Sequence, residues 1–315
     1  MRSRWIKKGR VLQPGFRWRG TLLLRPYAVS LLACLTLRIT PAFLLPSCVP
    51  YPAGETASDE IPPFEVLAPE YSTSITLEAG EWAASIRKLD ILIYSLEGTG
   101  DLEQHLVFDG FRENVEILSG SGSRKVVVVA NSPCSLEGKA VDRFSAAGQL
   151  SFAFSDENPD FPALTGSAGF SAGNQVYLAL KPFLCTITID SVSNAMDGYI
   201  LAERPSVHLE SLNPSVLALQ EDSFRPSEII ETGATVPLPC DIGFYTQHPG
   251  TVLHCYPDDS PDSLLGSRRP VLVFECDIEG EHYRAEETLP PMGRSASVKT
   301  EIRIGTDRHI SISYF

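Results

Sequence analysis

Gly169-Phe170-Ser171-Ala172-Gly173 has the spacing of a nucleophile elbow, in which a serine hydroxyl held on a sharp turn attacks an acyl carbon. That chemistry needs a strand before the serine and a helix after it. Here Pro162-Ala163-Leu164-Thr165-Gly166-Ser167 reads as turn-like, and Val176-Tyr177-Leu178-Ala179-Leu180 reads as a strand. The pattern therefore predicts a Gly/Ser loop. The six histidines, His105, His208, His248, His254, His282 and His309, are scattered and form no H-E-x-x-H or comparable metal set. Asp258-Asp259-Ser260-Pro261-Asp262 could attract Ca²⁺ but lacks the spacing of a calcium loop, and reads as a solvated acidic turn. No glycine-rich phosphate loop joins a strand to a helix. The expectation is a chain with no catalytic residue, no metal site and no cofactor.

Cys48 has a clearer chemical context. Residues 1–47 hold nine Arg or Lys and no Asp or Glu, basic residues first and an apolar stretch from Pro26 to Leu45 after them. That is the order of an export signal. The stretch ends in Leu45-Pro46-Ser47-Cys48, a lipobox-like sequence in which the cysteine thiol is acylated and everything before it is removed. Leu31-Leu32-Ala33-Cys34 is a second match, but apolar chain follows it where a polar tether is needed. Arg38 interrupts the apolar stretch and argues against a spanning helix, which needs about 20 predominantly apolar residues. An ordinary secretory signal is the alternative. The reading is residues 1–47 as a cleaved signal peptide and Cys48 as a lipid attachment point.

Removing the leader leaves 17 basic residues against 39 acidic ones, a net charge of −22. A surface so acidic repels phosphate backbones and excludes nucleic acid as a partner. The five cysteines beyond Cys48 (Cys134, Cys185, Cys240, Cys255 and Cys276) show no CxxC and no zinc spacing. They leave room for one disulfide, and the spacing does not choose its pair.

The elements that must position any site are short strands. Residues 48–70, rich in Pro and acidic residues, read as an extended tether. From Tyr71 on, Ser74 to Leu77 alternates, and Leu89, Ile91 and Ile93 share one face. Val126 to Ala130 is apolar throughout, as expected of a strand buried on both sides. Val176 to Leu180 and Cys185 to Ile189 are further strands, and Leu136 to Phe144 reads as a short helix. Val207 to Glu210 alternates, Val271 to Cys276 is a buried strand, and Ile278 to Tyr283 reads as a hairpin around Gly280. Val298 to Ile304 and Ile310 to Tyr314 alternate strictly. Regular short strands separated by Gly, Ser, Asn and Pro predict an all-β chain of two tandem β-sandwich domains, 71–184 and 185–315, with a short helix in the first.

Three of these segments resemble a family. Ser72 to Leu77, Ile86 to Tyr94 and Arg124 to Asn131 are similar to the first strand, the "K-L-x-V-x-V-Y" strand and the "V-V-x-A-N" strand of Bacteroidales-type fimbrillins, the lipoprotein subunits of type V pili. Gly138-Lys139 stands where the family has a short "G-K" helix. Met292-Gly293-Arg294 and the strand to Ile304 resemble its "R-N-x-x-Y-x-V-x-I" segment, with Ser295 in place of Asn. The resemblance spans most of residues 71–304. It implies transthyretin-like, Greek-key sandwiches and no enzymatic activity. It also implies assembly by donor-strand exchange, in which a protease cuts behind the first strand, that strand leaves, and a strand of the next subunit fills the groove. The implied partners are other fimbrial subunits and, through the N-terminal lipid, the outer membrane. The segments it marks for exchange or groove lining are Ile75 and Leu77 at one end, and Ile310, Ile312 and Tyr314 at the other.

The chain departs from the shaft-subunit pattern in two places. No Lys or Arg lies between Cys48 and Ile86, and the first basic pair, Arg87-Lys88, stands at the start of a core strand. After Ile304 only one further strand, His309 to Tyr314, can be drawn. These departures point to an uncut, permanently lipidated anchor subunit. The alternatives are a shaft subunit matured by cleavage after Arg or Lys, and a surface glycan- or ligand-binding lipoprotein. Trp82, the one Trp beyond the leader, speaks mildly against a sugar site.

Overall fold

The structure is a computed structural model that describes residues 70–261 and 268–315. The leader, Cys48 and all of the tether but Glu70 lie outside the described residues. Residues 71–182 supply nine strands: β1 Tyr71–Glu78, β2 Lys88–Ser95, β3 Leu102–Asp109, β4 Asn114–Ser119, β5 Ser123–Ala130, β6 Ser151–Ala153, β7 Leu164–Ser171, β8 Val176–Ala179 and β9 Lys181–Pro182. Residues 185–314 supply the rest: β10 Cys185–Asn194, β11 Ala202–Leu212, β12 Ser215–Leu217, β13 Ile230–Thr232, β14 Val236–Pro237, β15 Thr246–Gln247, β16 Thr251–Cys255, β17 Val271–Ile278, β18 Glu281–Thr288, β19 Ser297–Ile304 and β20 Ile310–Tyr314.

A three-stranded sheet, β4-β1-β8, faces a five-stranded sheet, β3-β2-β5-β7-β9. Leu89, Ile91 and Ile93 of β2 and Val126 and Val128 of β5 meet Ile75, Leu77, Val115, Ile117, Val176 and Leu178 across the gap. The other face of β2 and β5 is covered as well. Leu92, Tyr94, Val127 and Val129 pack against Leu136, Phe152 and Phe183, and against Val216, Phe224 and Tyr256 from farther along the chain. That second layer is why Val126 to Ala130 carries no polar residue. In the second half, β10 and β19 lead one sheet, with β15, β16 and β20. A second sheet runs β13-β11-β17-β18, with β14 also on β11. Between them lie Ile187, Val207, Leu209, Leu272, Phe274, Val298 and Ile302. The short ladder of β6 with β12 pairs chain from the two halves. The fold is all-β, with sandwich-like packing of sheets.

Several readings of the sequence correspond to elements. Ser297–Ile304 buries every second residue. The β17–β18 hairpin turns at Glu279-Gly280, both at positive φ (51° and 84°). That pairing of left-handed residues matches the twist of the flanking strands and favours glycine at the second position.

Other readings are corrected. Leu136 to Phe144 is not one helix. It contains a 3-10 turn at Gly138–Ala140, and the α-helix α1 is Phe144–Ala147. Pro162 to Ser167 is not a turn, since β7 begins at Leu164. Gly166 belongs there because β7 runs close under β8: a Cβ at Gly166 would lie 2.7 Å from the Ala179 carbonyl oxygen. Val207 to Glu210 does not alternate, because His208 is buried beside Val207 and Leu209. Its Nε2 lies 3.3 Å from Glu210 Oε1. Behind β1, Gly80–Ser85 forms a 3-10 helix.

One side chain ties the two halves at the seam. Arg294 donates to Thr165 O (2.9 Å), Thr165 Oγ1 (2.8 Å), Pro182 O (3.3 Å) and Lys181 O, and its guanidinium lies 4.0 Å over the Phe183 ring. Burial lowers its pKa to about 10, so it stays charged at neutral pH. Hydrogen bonds from a charged donor contribute about 1.5–3 kcal/mol each. Since surrounding water can replace part of them, Arg294→Ala is expected to cost about 2–4 kcal/mol in urea denaturation. Arg294→Lys should recover less than half, because one ammonium cannot span these acceptors. A loss under about 0.5 kcal/mol would refute the clamp.

Candidate functional site

The Gly/Ser loop expected over Gly169 to Gly173 is strand as far as Ser171, and only Ala172 and Gly173 form a turn. Ser171 ends β7 on the surface, opposite Ser123, and a turn then leads into β8. The strand-turn-helix that aims a nucleophile is missing. Among the described residues no three His, Cys, Asp or Glu side chains converge as metal ligands. His105 Nε2 lies 2.8 Å from the buried Asp90 carboxylate, and His282 Nδ1 lies 3.1 Å from Asp277. Asp258 is buried and accepts from Ser260 N at 2.9 Å. It is bridged antiparallel to Met292 and folded into the protein, not a solvated turn.

The residues that do converge are those of β1. This strand lies in the middle of its sheet. It pairs antiparallel with β4, from Tyr71 opposite Ser119 to Thr76 opposite Asn114. On its other side it pairs parallel with β8, from Ile75 opposite Val176 to Glu78 opposite Ala179. Thr73, Ile75 and Leu77 point inward and are buried, while Ser72 is exposed and Ser74 and Thr76 are half-buried. Thr73 Oγ1 accepts from Gly173 N at 2.9 Å, which holds the turn between β7 and β8 to the strand. Leu77 N donates to Glu113 O and Leu180 N to Glu78 O, each at 2.7 Å. β1 is the pairing partner that β4 and β8 share within this sheet. Without it, two sheet edges would flank an apolar groove lined by Val115, Ile117, Val176 and Leu178.

The chain behind β1 is pinned. Trp82, half-buried in the 3-10 helix, packs against the same core. Asn131, at φ 51°, then holds the connection to β2 with its whole side chain. Its Oδ1 accepts from Arg87 N (2.8 Å) and Lys88 N (3.4 Å), and its Nδ2 donates to Ser85 O and Pro162 O, both at 3.1 Å. Asn131 N donates to Lys88 O (2.9 Å) and Gly110 N to Arg87 O (2.8 Å). The Arg87 guanidinium lies 4.4 Å over the Phe161 ring. The backbone on both sides of the Arg87–Lys88 bond is therefore hydrogen-bonded. The sequence reading placed Asn131 only as the last residue of the "V-V-x-A-N" segment and gave it no role; its place at the end of an apolar strand, where a left-handed residue is needed, was the available signal.

The other candidate residues lie elsewhere. β20 pairs antiparallel with β19, Ile304 opposite Ile310 and Thr300 opposite Tyr314. Ile310 is buried, Ile312 packs against the core of the second half, and Tyr314 is 42% exposed. β20 and β1 belong to different sheets, so these three do not meet Ile75 and Leu77. Cys48 lies outside the described residues. A second exposed feature is a group of large side chains, Tyr199, Leu201, Phe244 and Tyr245.

A β-protein of two sandwich-like halves, with its first strand filling the middle of a three-stranded sheet, defines a class of fold found in fimbrial subunits. The solved structures it resembles include a fimbrilin of Porphyromonas gingivalis (TM-score 0.56, 12% identity, 77% of this chain and 96% of that one). They include a candidate cell adhesion protein of Parabacteroides distasonis (TM-score 0.55, 9% identity, 77% and 95%). They also include the C-terminally truncated tip fimbrial protein of Porphyromonas gingivalis (TM-score 0.50, 12% identity, 78% and 99%). No family model and no curated protein matches the sequence. At these identities the likeness is one of fold, and this chain shares the fold of Bacteroidales fimbrilins.

Proposed function

We propose that the chain is a fimbrial subunit of the cell surface, carried on the outer membrane by a lipid at Cys48 and retained uncut as an anchor. The observation that carries the reading is the position of β1 between β4 and β8, with Ile75 and Leu77 filling an apolar groove. Such a groove is what donor-strand exchange requires: backbone pairing on both sides for affinity and alternate pockets for register. The anchor role is supported by the hydrogen-bonded Arg87–Lys88 bond and by the lack of Lys or Arg from Val49 to Ser85. Several acyl chains suffice for stable membrane attachment where one would not. In this reading neither half is an enzyme.

The test is the mature N-terminus. Intact mass should show an acylated chain beginning at Cys48, and Cys48→Ala should abolish palmitate incorporation and release the protein from the membrane fraction. A mature chain beginning near Leu89 would overturn the anchor reading and favour the shaft alternative. The exposed Tyr199, Phe244 and Tyr245 support a second reading, a glycan- or ligand-binding surface lipoprotein. A glycan-array signal lost on mutating these aromatics would favour it.

A further inference from the structure

Cys185 begins β10 and Cys255 ends β16, and the antiparallel ladder sets the two directly opposite each other. Both are fully buried free thiols in the structure. The neighbouring Cys185 thiol and burial push the Cys255 pKa well up. Directly opposite residues in an antiparallel pair have Cα atoms about 4.5–5.5 Å apart, inside the span of about 4.4–6.8 Å that a disulfide bridges. No other pair of described cysteines is placed this way. Cys276 stands opposite Tyr283 in the other sheet, Cys240 is exposed and donates to Gln247 Oε1, and Cys134 packs at the seam core.

We propose that Cys185 and Cys255 are a disulfide site, closed during folding after export. Two S–H bonds break and one Sγ–Sγ bond forms. The two protons and two electrons pass by thiol–disulfide exchange to a protein disulfide of the exporting compartment, which is reduced to its dithiol. The exchange runs on thiolates, and in the folded chain both sulfurs are out of reach of an oxidant. It therefore belongs to the folding chain, before β16 docks on β10. The hydrogen bond from Cys185 Sγ to Gly293 O (3.2 Å) is given up in exchange. What the bond gains is a covalent hold on β16, a strand whose one ladder is with β10. Once closed it is as buried as the thiols were, so reduction needs unfolding first.

The compartment comes from the export reading under Proposed function, but the bond does not depend on a fimbrial role. The experiment is alkylation of the full chain, isolated from the envelope of the producing cell and unfolded in denaturant. Without reductant, maleimide should label Cys134, Cys240 and Cys276. After reduction it should label Cys185 and Cys255 as well, and peptide mapping should recover a linked 185–255 pair two mass units below the dithiol. The bond closes a loop of about 70 residues, and its reduction should lower Tm by about 10 °C. Cys185→Ser and Cys255→Ser should each show the lowered Tm with no further response to reductant. Labelling of all five cysteines in the exported chain, or a link through another pair, would overturn the proposal. An unlipidated, membrane-free protein that still carries the link would sink the anchor reading and leave the disulfide standing.

Discussion

Ile75→Ala combined with Leu77→Ala is expected to remove most of the stability of the first half of the chain. Both side chains are buried between two sheets, at 0% and 2% exposure, on a strand that two neighbours share. Truncating a buried Ile or Leu costs about 2–5 kcal/mol through lost transfer energy and the cavity left behind. The pair together approaches the total of about 5–15 kcal/mol that holds a typical domain folded. Urea denaturation reads the loss directly. A complementary measurement uses a chain beginning at Leu89, which lacks β1. It should bind a synthetic peptide of residues 71–78 and gain stability as the peptide concentration rises. A peptide with Ile75→Asp should not bind, because a carboxylate would enter a pocket lined by Val115 and Val176. A double variant within about 1 kcal/mol of the parent would refute a groove that β1 fills. So would a truncated chain indifferent to the peptide.

Asn131→Ala should convert the connection behind β1 into a protease site. Four side-chain hydrogen bonds disappear at about 1 kcal/mol each, and alanine at φ 51° adds about 1–2 kcal/mol of strain. The opening of Ser85 to Lys88 becomes easier by about 3–5 kcal/mol, after the alternative bonds to water are counted. Cleavage through a transiently open state follows its population, so limited trypsin digestion should cut after Arg87 or Lys88 at least a hundredfold faster. No Lys or Arg precedes Arg87 in the chain beyond Cys48, so the released piece would carry Cys48 and β1 together. Asn131→Asp keeps the acceptor and tolerance of left-handed φ but loses the two donors, and should fall between. Unchanged digestion, or a first cut at Arg112, would show that something other than Asn131 guards the bond.

Much of the fold was legible in the residues because strand periodicity is local. Ser297–Ile304 alternates in sequence and in burial, and the Glu279-Gly280 turn follows from backbone freedom alone. Val126 to Ala130 announced a strand covered on both faces, but not that the second cover comes from Val216, Phe224 and Tyr256, far along the chain. His208 read as solvent-facing from its polar type, yet packing on the inner strand β11 buries it. Leu136 to Phe144 had helical composition, but it holds only a 3-10 turn at Gly138–Ala140, and the α-helix begins at Phe144.

By itself the sequence determined the all-β class, the acidic balance beyond residue 47, the lipobox-like cysteine and the basic-free stretch behind it. These depend on residue types and short spacings. Only the tertiary structure decided that β1 sits between β4 and β8, that Asn131 locks the Arg87–Lys88 bond, and that Cys185 faces Cys255. Each of these is a contact between segments tens of residues apart. Sequence periodicity fixes which face of a strand is buried, but not which strand lies beside it; that is settled by the packing of all the faces at once.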